Sequence, residues 1–443
     1  MKKLRFFVLF SLMLILLVPL SARGQSVHID FYEYTLENGL HVILHQDNST
    51  PNVVVNIMYH VGSKNEDPNL TGFAHYFEHL MFEGTKHIAR GEFTEIVEKA
   101  GGSLNAWTSF DITNYFVLMP SNQLELGLWL ESERLLHPVI DSIGIATQKS
   151  VVTEEMKETR DNRPYGRILT ETIKRAFTVH PYRWDVLGKD EHIRNATYAD
   201  IRGFHNMFYV PNNAVLVVSG DIDKAKTKPL VEKYFGGIPR GTKKIFRPDV
   251  IEPRRTAEIR DTVFDNIQLP AVIHAYPLPA RGTTDFYAMD MLSTLLTGGQ
   301  SSRMVRRLVN EDQVALAIQA IPLALEDPGL KIIFGLPNMG IAPDVLEQGM
   351  IQELDRVKNE LISEREFQTI RNMVESTFVN ANTTIARRAT NLATNHLMFG
   401  DANRINTELA KYFAVTREDI QRVARQYLRE EYRVVLYYLP KAR

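Results

Sequence analysis

The sequence predicts an α+β protein made of two copies of one domain, on three observations. At 443 residues the chain is too long for a single core, and about 150 to 200 residues per domain gives two or three domains. Strand-like runs of β-branched residues alternate with amphipathic helical stretches. One outline also occurs twice. "TYADIRGFHNMFYVPNNAVLVV" from Thr197 and "TREDIQRVARQYLREEYRVVLY" from Thr416 each run through Thr, Asp-Ile, an amphipathic helix and a β-branched strand.

A second matching pair lies earlier in each half. "NVVVNIMYHVGSKNED" is followed by a helix, as "LPAVIHAYPLPARGTTD" is followed by "FYAMDMLSTLLTGG". The offsets agree closely, 219 residues from Thr197 to Thr416 and 214 from Gly84 to Gly298. Two related domains account for this, at residues 25–238 and 257–443. Between them "GGIPRGTKKIFRPDVIEPRRT" is rich in Gly, Pro and basic residues, which suits an exposed linker over 239–256.

Along the first copy, "VHIDFYEYTLENGLHVILHQ" reads as two strands around an Asn38-Gly39 turn, and "NVVVNIMYHVGS" as a third. Helices follow at "TGFAHYFEHLMFEG", at "RGEFTEIVEKAGG", stopped by Gly101-Gly102, and at "SNQLELGLWLESERLLH". A strand pair, "SLNAWTSFDITNYFVLMP", separates the last two. The polar stretch "ATQKSVVTEEMKETRDNRP" reads as a helix ending before Pro164.

Composition narrows the chemistry. The chain is 44% hydrophobic and 23% charged, as in ordinary globular proteins, and its formal charge of -2 offers no net field for nucleic acid or an anionic membrane. With no cysteine, thiolate metal sites and thiol nucleophiles are excluded, so a zinc site would need His and carboxylate ligands. The N-terminus reads as an export signal, residues 1–24: Lys2, Lys3 and Arg5 precede the apolar run Phe6 to Leu20, and "SARGQ" supplies small residues for cleavage after Ala22 or Gly24. The run falls short of the ~20 apolar residues of a membrane span. The mature protein is therefore expected to be exported, to the periplasm first and secretion as the alternative, without a stable membrane anchor.

The chemistry concentrates in "GFAHYFEHLMFEGT", Gly72 to Thr85. On a helix His75 and His79 are one turn apart on one face, where both imidazoles can reach one cation and Glu78 lies beside them. Zinc held by three protein ligands keeps a fourth position for water, so a third ligand must come from elsewhere in the chain. The bland reading is a solvated helix face. Against it, Phe73, Phe77 and Leu80 flank the polar residues with bulk, and buried imidazoles are costly unless paired or ligating. The second copy has Met289, Leu292 and Ser293 where the first has His75, Glu78 and His79, so only the first half can carry this chemistry.

"VGSKNEDPNLTGFAHYFEHLMFEGT" resembles the signature of the pitrilysin/insulinase metallopeptidases, whose H-x-x-E-H order inverts the commoner H-E-x-x-H. "GGSLNAWTSFDITNYF", "VVTEEMKE", "HPYRWDVLG" and "FYVPNNAVLVVSGD" resemble later landmarks of that family, and the size is similar to its two-domain members, such as mitochondrial processing peptidase subunits and bacterial relatives. The resemblance implies two homologous domains, each a mainly antiparallel sheet packed with helices. It implies a zinc endopeptidase that binds one Zn2+ per chain through His75, His79 and a downstream glutamate, with Glu78 as general base. That glutamate is Glu155 by its distance and by the Met that follows, although Glu154 adjoins it; on a helix the two point about 100° apart, so only one can face the histidines.

The resemblance also implies that "SLNAWTS" is an edge strand pairing with an extended peptide, with Asn105 and Ala106 at the positions that contact its backbone; the plainer reading is an ordinary edge strand with a buried Trp107. Two departures stand out. Gln148 occupies a position where many relatives carry a glutamate, and Val309 and Leu316 occupy the places of an Arg/Tyr substrate grip. The nearby Arg303, Arg306 and Arg307 read as a solvated helix face. The missing grip implies a second homologous subunit that supplies the Arg/Tyr pair, or a homodimer. A non-catalytic peptide-binding or assembly subunit is the other function class, and the intact His75, Glu78, His79 and Glu155 argue against it. His60, His137 and His180 read as structural, and "SKNEDP" and "RPDVIEPRR" as solvated loops.

Overall fold

The computed structural model describes residues 28–441, so the expected export segment lies outside the described residues. No described helix is long and apolar enough to cross a membrane. The first half contains strands β1 (Tyr32–Thr35), β2 (His41–Gln46), β3 (Asn52–Tyr59), β4 (Ser103–Thr108), β5 (Thr113–Pro120) and β6 (Ala214–Gly220). Its helices are α1 (Phe73–Leu80), α2 (Glu92–Lys99), α3 (Leu124–Leu136), α4 (Ser142–Met156), α5 (Ile168–Ala176), α6 (Asp190–Asn195), α7 (Tyr198–Phe208) and α8 (Lys224–Phe235).

The second half contains β7 (Ile259–Asp265), β8 (Ala271–Leu278), β9 (Ala315–Leu323), β10 (Gly329–Pro337) and β11 (Val434–Pro440). Its helices are α9 (Thr284–Thr297), α10 (Pro343–Asn359), α11 (Glu364–Asn380), α12 (Ile385–Phe399), α13 (Arg404–Phe413) and α14 (Arg417–Tyr427). Between Phe235 and Ile259 the chain forms neither helix nor strand.

The two sheets repeat one another. The first runs β1-β2-β6-β3-β5-β4 and the second β7-β11-β8-β10-β9, the same order without an equivalent of β1. In each, one neighbouring pair is parallel, β2 with β6 and β7 with β11, and all other pairs are antiparallel. The repeated sequence outline folds as expected: α7 with β6 and α14 with β11 each start at a capping box, Thr197 with Asp200 and Thr416 with Asp419.

Central strands such as β3 and β6 are buried almost throughout, so both faces of the sheet need cover. One face of the first sheet packs on its own helices, where Val55, Ile57 and Val218 join Phe77, Leu80 and Leu128. The other face is covered from the second half: Ile43, Val54, Met58, Val215 and Val217 pack on Ala389, Leu392 and Ala393 of α12. The exchange is mutual, because Ile173 and Ala176 of α5 cover Ile273, Leu436 and Tyr438 of the second sheet. At ~1.5–3 kcal/mol for each large apolar side chain removed from water, neither half can release its borrowed helix cheaply.

A buried polar cluster adds a second bond between the halves, and it corrects the expectation that "SKNEDP" is a solvated loop. Ser63, Lys64, Asn65 and Glu66 are all buried. The Lys64 ammonium lies 3.0 Å from Asp111, 2.5 Å from Glu326 and 3.1 Å from Asp327, the last two from the turn between β9 and β10. His60 reaches Glu326 at 3.0 Å and His180 reaches Asp327 at 3.4 Å, so both histidines are structural, as expected. "RPDVIEPRR" is mostly exposed, but its Glu252 carboxylate accepts from the backbone N–H groups of Thr178, Val179 and His180.

Burial alone would raise Glu326, but the hydrogen bond and charge of His60 and the Lys64 ammonium overcome it and hold the carboxyl down at about 2. Its contribution to stability is therefore present above its unfolded value and lost as pH falls towards 2. The difference in unfolding free energy between the wild type and Glu326→Gln, measured by urea denaturation, is expected to be constant above about pH 5 and to shrink below it. A pH-independent difference would contradict this account. Lys64→Met, which strands the buried Asp111 carboxylate, is expected to cost about 3 kcal/mol.

Candidate metal centre

Helix α1 is fixed before its histidines are placed. Gly72 starts it with φ at +90°, and a Cβ there would lie 2.5 Å from the Leu187 carbonyl oxygen, so this start requires glycine. The Glu66 carboxylate caps it, accepting from the N–H of Gly72 at 2.9 Å and of Ala74 at 2.8 Å. A carboxylate at this end also suits the positive pole of the helix. Phe73, Tyr76, Phe77 and Leu80 are buried in the first core, and that leaves His75, Glu78 and His79 on the remaining face.

Helix α4 packs on α1 and brings Glu155 to this face. His75 Nε2 and His79 Nε2 are 3.3 Å apart, and Glu155 Oε2 lies 3.2 Å from His79 Nε2 and 3.6 Å from His75 Nε2. Glu154 instead points to Lys157 and is largely exposed, so of the two adjacent glutamates the geometry brings Glu155 to the imidazoles. Past Met156 the helix widens to an i to i+5 turn, Asn162 N–H to the Lys157 carbonyl, and ends before Pro164 as expected.

The three converging atoms fit zinc. A tetrahedral ion with donors at about 2.0–2.1 Å holds them roughly 3.3–3.4 Å apart, and the observed triangle has sides of 3.2, 3.3 and 3.6 Å. Imidazole with a single carboxylate also suits zinc better than calcium or magnesium. Burial, and then the neighbouring His79, push His75 well below the usual imidazole range, towards the neutral form a metal requires. The hydrogen bond from His79 lowers Glu155.

Glu78, half-buried, is raised by burial, while a 2.6 Å hydrogen bond from Thr108 Oγ1 opposes the rise. Thr108 ends β4, the free edge of the first sheet, which carries Asn105 and Ala106. The Ala106 N–H is taken by the Asn105 side-chain oxygen at 2.8 Å. Trp107 is half-buried.

Sequence reasoning missed Thr108 and Glu66. Neither has a spacing signal: one is a hydroxyl at the end of an edge strand, and the other sits in a charged stretch that looks solvated. Gln148 does not join the imidazoles; its Nε2 donates to the buried Glu83 at 2.5 Å, and Glu83 in turn pairs with Arg90 at 2.9 Å. Val309 packs half-buried against the second core and Leu316 is exposed on β9, so neither offers a polar grip.

The expected solvated face of Arg303, Arg306 and Arg307 is corrected in part. Arg303 is buried with both Nε and Nη2 on Glu366, at 2.8 and 3.1 Å, and Arg307 is tied to Glu353 at 2.7 Å. The packing of α11 and α10 supplies these carboxylates, and only Arg306 is exposed.

Comparison with known proteins gives the family. Residues 41–185 match the model described as insulinase (peptidase family M16), and residues 195–374 match the peptidase M16 inactive domain. The zinc protease PqqE of Helicobacter pylori is 30% identical over 98% of both chains. The uncharacterized zinc protease YmxG of Bacillus subtilis is 24% identical, over 91% of this chain and 97% of its own. The crystal structure of a protease from Helicobacter pylori superposes with a TM-score of 0.88 at 29% identity, covering 93% of this chain and 100% of the other. With a relative at that identity over nearly its whole length, and with both halves matched in order, this chain belongs to the insulinase family of peptidases, family M16.

Proposed function

We propose that the chain is a zinc-dependent endopeptidase that hydrolyses peptides or unfolded protein segments, with His75, His79 and Glu155 as ligands and Glu78 as general base. The observation that carries this reading is the His75–His79–Glu155 triangle with a half-buried carboxylate beside it. Bound zinc would supply a Lewis acid for the attacking water and the scissile carbonyl. Glu78 takes the proton of that water and returns it to the departing amine, so hydrolysis is direct and needs no nucleophilic side chain. Thr108 holds the Glu78 carboxylate in place for both transfers.

The free edge of β4 suits an extended peptide added as a further strand, using main-chain hydrogen bonds that tolerate many sequences. The Ala106 N–H, which donates to the neighbouring Asn105 side-chain oxygen, is the donor such a peptide would take over. The N-terminal sequence supports export, with residues 1–24 as the removed signal, 25–238 as the catalytic domain, 239–256 as linker and 257–443 as the homologous partner domain. Val309 and Leu316 leave the second half without an Arg/Tyr grip, which favours action with a second homologous subunit that carries one.

Glu78→Gln is expected to keep the zinc content of the wild type while lowering kcat for a fluorogenic peptide by roughly 10²–10⁴-fold. Metal analysis and kinetics on one preparation check both halves of the statement. Unchanged turnover in this variant would leave the non-catalytic peptide-binding subunit as the better reading.

Ala106→Pro removes the edge donor without touching the ladder to β5, and proline is tolerated at edges. A loss of kcat/KM of about tenfold or more, with zinc content and unfolding midpoint unchanged, is expected. Equal kcat/KM would rule out strand addition at β4. For the subunit, adding a homologous chain with the Arg/Tyr pair is expected to raise peptide cleavage, whereas full activity of the lone chain would refute the need for it.

A further inference from the structure

Two other groups of imidazoles and carboxylates converge among the described residues, Glu33 with His41 and His396, and Glu133 with His87 and His137. Their ring geometry separates them. His41 and His396 are stacked, with centroids 3.5 Å apart and planes 11° from parallel, and both nitrogens of His41 are engaged, by Thr35 Oγ1 and by Glu33. The in-plane lone pairs of stacked rings run side by side and do not meet at one ion.

His87 and His137 instead stand edge to face, at 87° with centroids 5.4 Å apart, much as His75 and His79 do at 77° and 4.8 Å. Both turn Nδ1 towards one carboxylate: His87 Nδ1 lies 3.0 Å from Glu133 Oε1 and His137 Nδ1 lies 3.2 Å from the same oxygen. These separations are close to the roughly 3.3–3.4 Å between donors on a tetrahedral zinc ion.

The frame around the cluster is built. Glu133 and His137 are one turn apart where α3 ends, and the helix end favours a cation. His87 is held over them by the bridge between Thr85 and Pro138 and by the Lys86 N–H on the His137 carbonyl at 3.0 Å. Thr85 Oγ1 donates to Glu133 Oε2 at 2.8 Å and fixes the carboxylate; His87 Nδ1 lies 3.0 Å from both oxygens, and Oε1 also faces His137. The Glu133 side chain is 8% exposed and that of His87 48%, so a buried anion meets solvent through an open imidazole.

We propose that His87 Nδ1, His137 Nδ1 and Glu133 Oε1 form a second divalent transition-metal site of the zinc class, with its fourth position open to water. Without metal, N–H groups at the two Nδ1 atoms hold the same geometry by donating to the carboxylate; when metal takes their place, each neutral ring carries its proton on Nε2. An ion there ties the loop after α1 to the end of α3, and it exchanges with solvent on the exposed side.

The test uses the full chain carrying His75→Ala and His79→Ala, so that neither outcome depends on peptide hydrolysis or on the first centre. Equilibrium dialysis against zinc chloride is expected to load about one ion per chain, and zinc is expected to raise the unfolding midpoint. Adding His87→Ala, a change at an exposed side chain, is expected to weaken zinc binding at least tenfold and to abolish the zinc-dependent shift in midpoint. Zinc binding that is absent in the double variant, or unchanged by His87→Ala, would overturn the proposal.

Discussion

Each sheet in this chain has two apolar faces and only enough helix in its own half to cover one. That shortage shapes the architecture. The outer face of the first sheet, with Ile43, Val54, Met58, Val215 and Val217, is covered by α12, and the outer face of the second is covered by α5. Exposed apolar area of this kind is unfavourable at about 25 cal/mol per Å², so the two halves form one cooperative body through exchanged helices. The Lys64 cluster then fixes their register, because an ammonium with three carboxylates around it tolerates little displacement before a charge is stranded.

The rigidity reaches the candidate metal centre by a short route. Lys64 and Glu66 are two residues apart in the same buried segment; one side chain ties the halves together and the other caps α1. The direction of α1, and with it the position of His75 and His79 relative to Glu155 on α4, is thus tied to the inter-half contact. Preorganisation of this kind matters for a site whose donors must sit within about 0.5 Å of a working geometry.

Much of this could be read from the sequence, and what could not has physical reasons. The repeat outline from Thr197 and Thr416 folds into matching helix-strand units because capping boxes and β-branched runs are local signals. The grouping of His75 with His79 follows from helical spacing. The grouping with Glu155 rests on a separation that only resemblance could supply, since nothing local states which remote glutamate arrives. "SKNEDP" was misleading because its charges are satisfied by residues up to 263 positions away, at Glu326 and Asp327. The exchange of α5 and α12 was invisible for a similar reason: an amphipathic helix announces that it has an apolar face but not which sheet will receive it.

The two halves also differ in how they satisfy the same point of the fold. Tyr59 stands opposite Thr113 in the first sheet, and Tyr276, at the matching place in the second, stands opposite Lys331. Lys331 is fully buried, and its amine donates to the Met289 carbonyl at 3.2 Å and to Ser293 Oγ at 2.5 Å, the two positions that correspond to His75 and His79. The charge it carries there is marginal, since burial pushes the amine down to about 7 against the opposing pull of Asp290. A donor built into the chain therefore reaches the helix of the second half at this turn. In the first half the same turn presents two imidazoles and the Glu155 carboxylate, with His79 donating to Glu155. The asymmetry between the halves is thus one of what fills this turn: a buried amine from β10 in the second, and paired imidazole and carboxylate groups in the first.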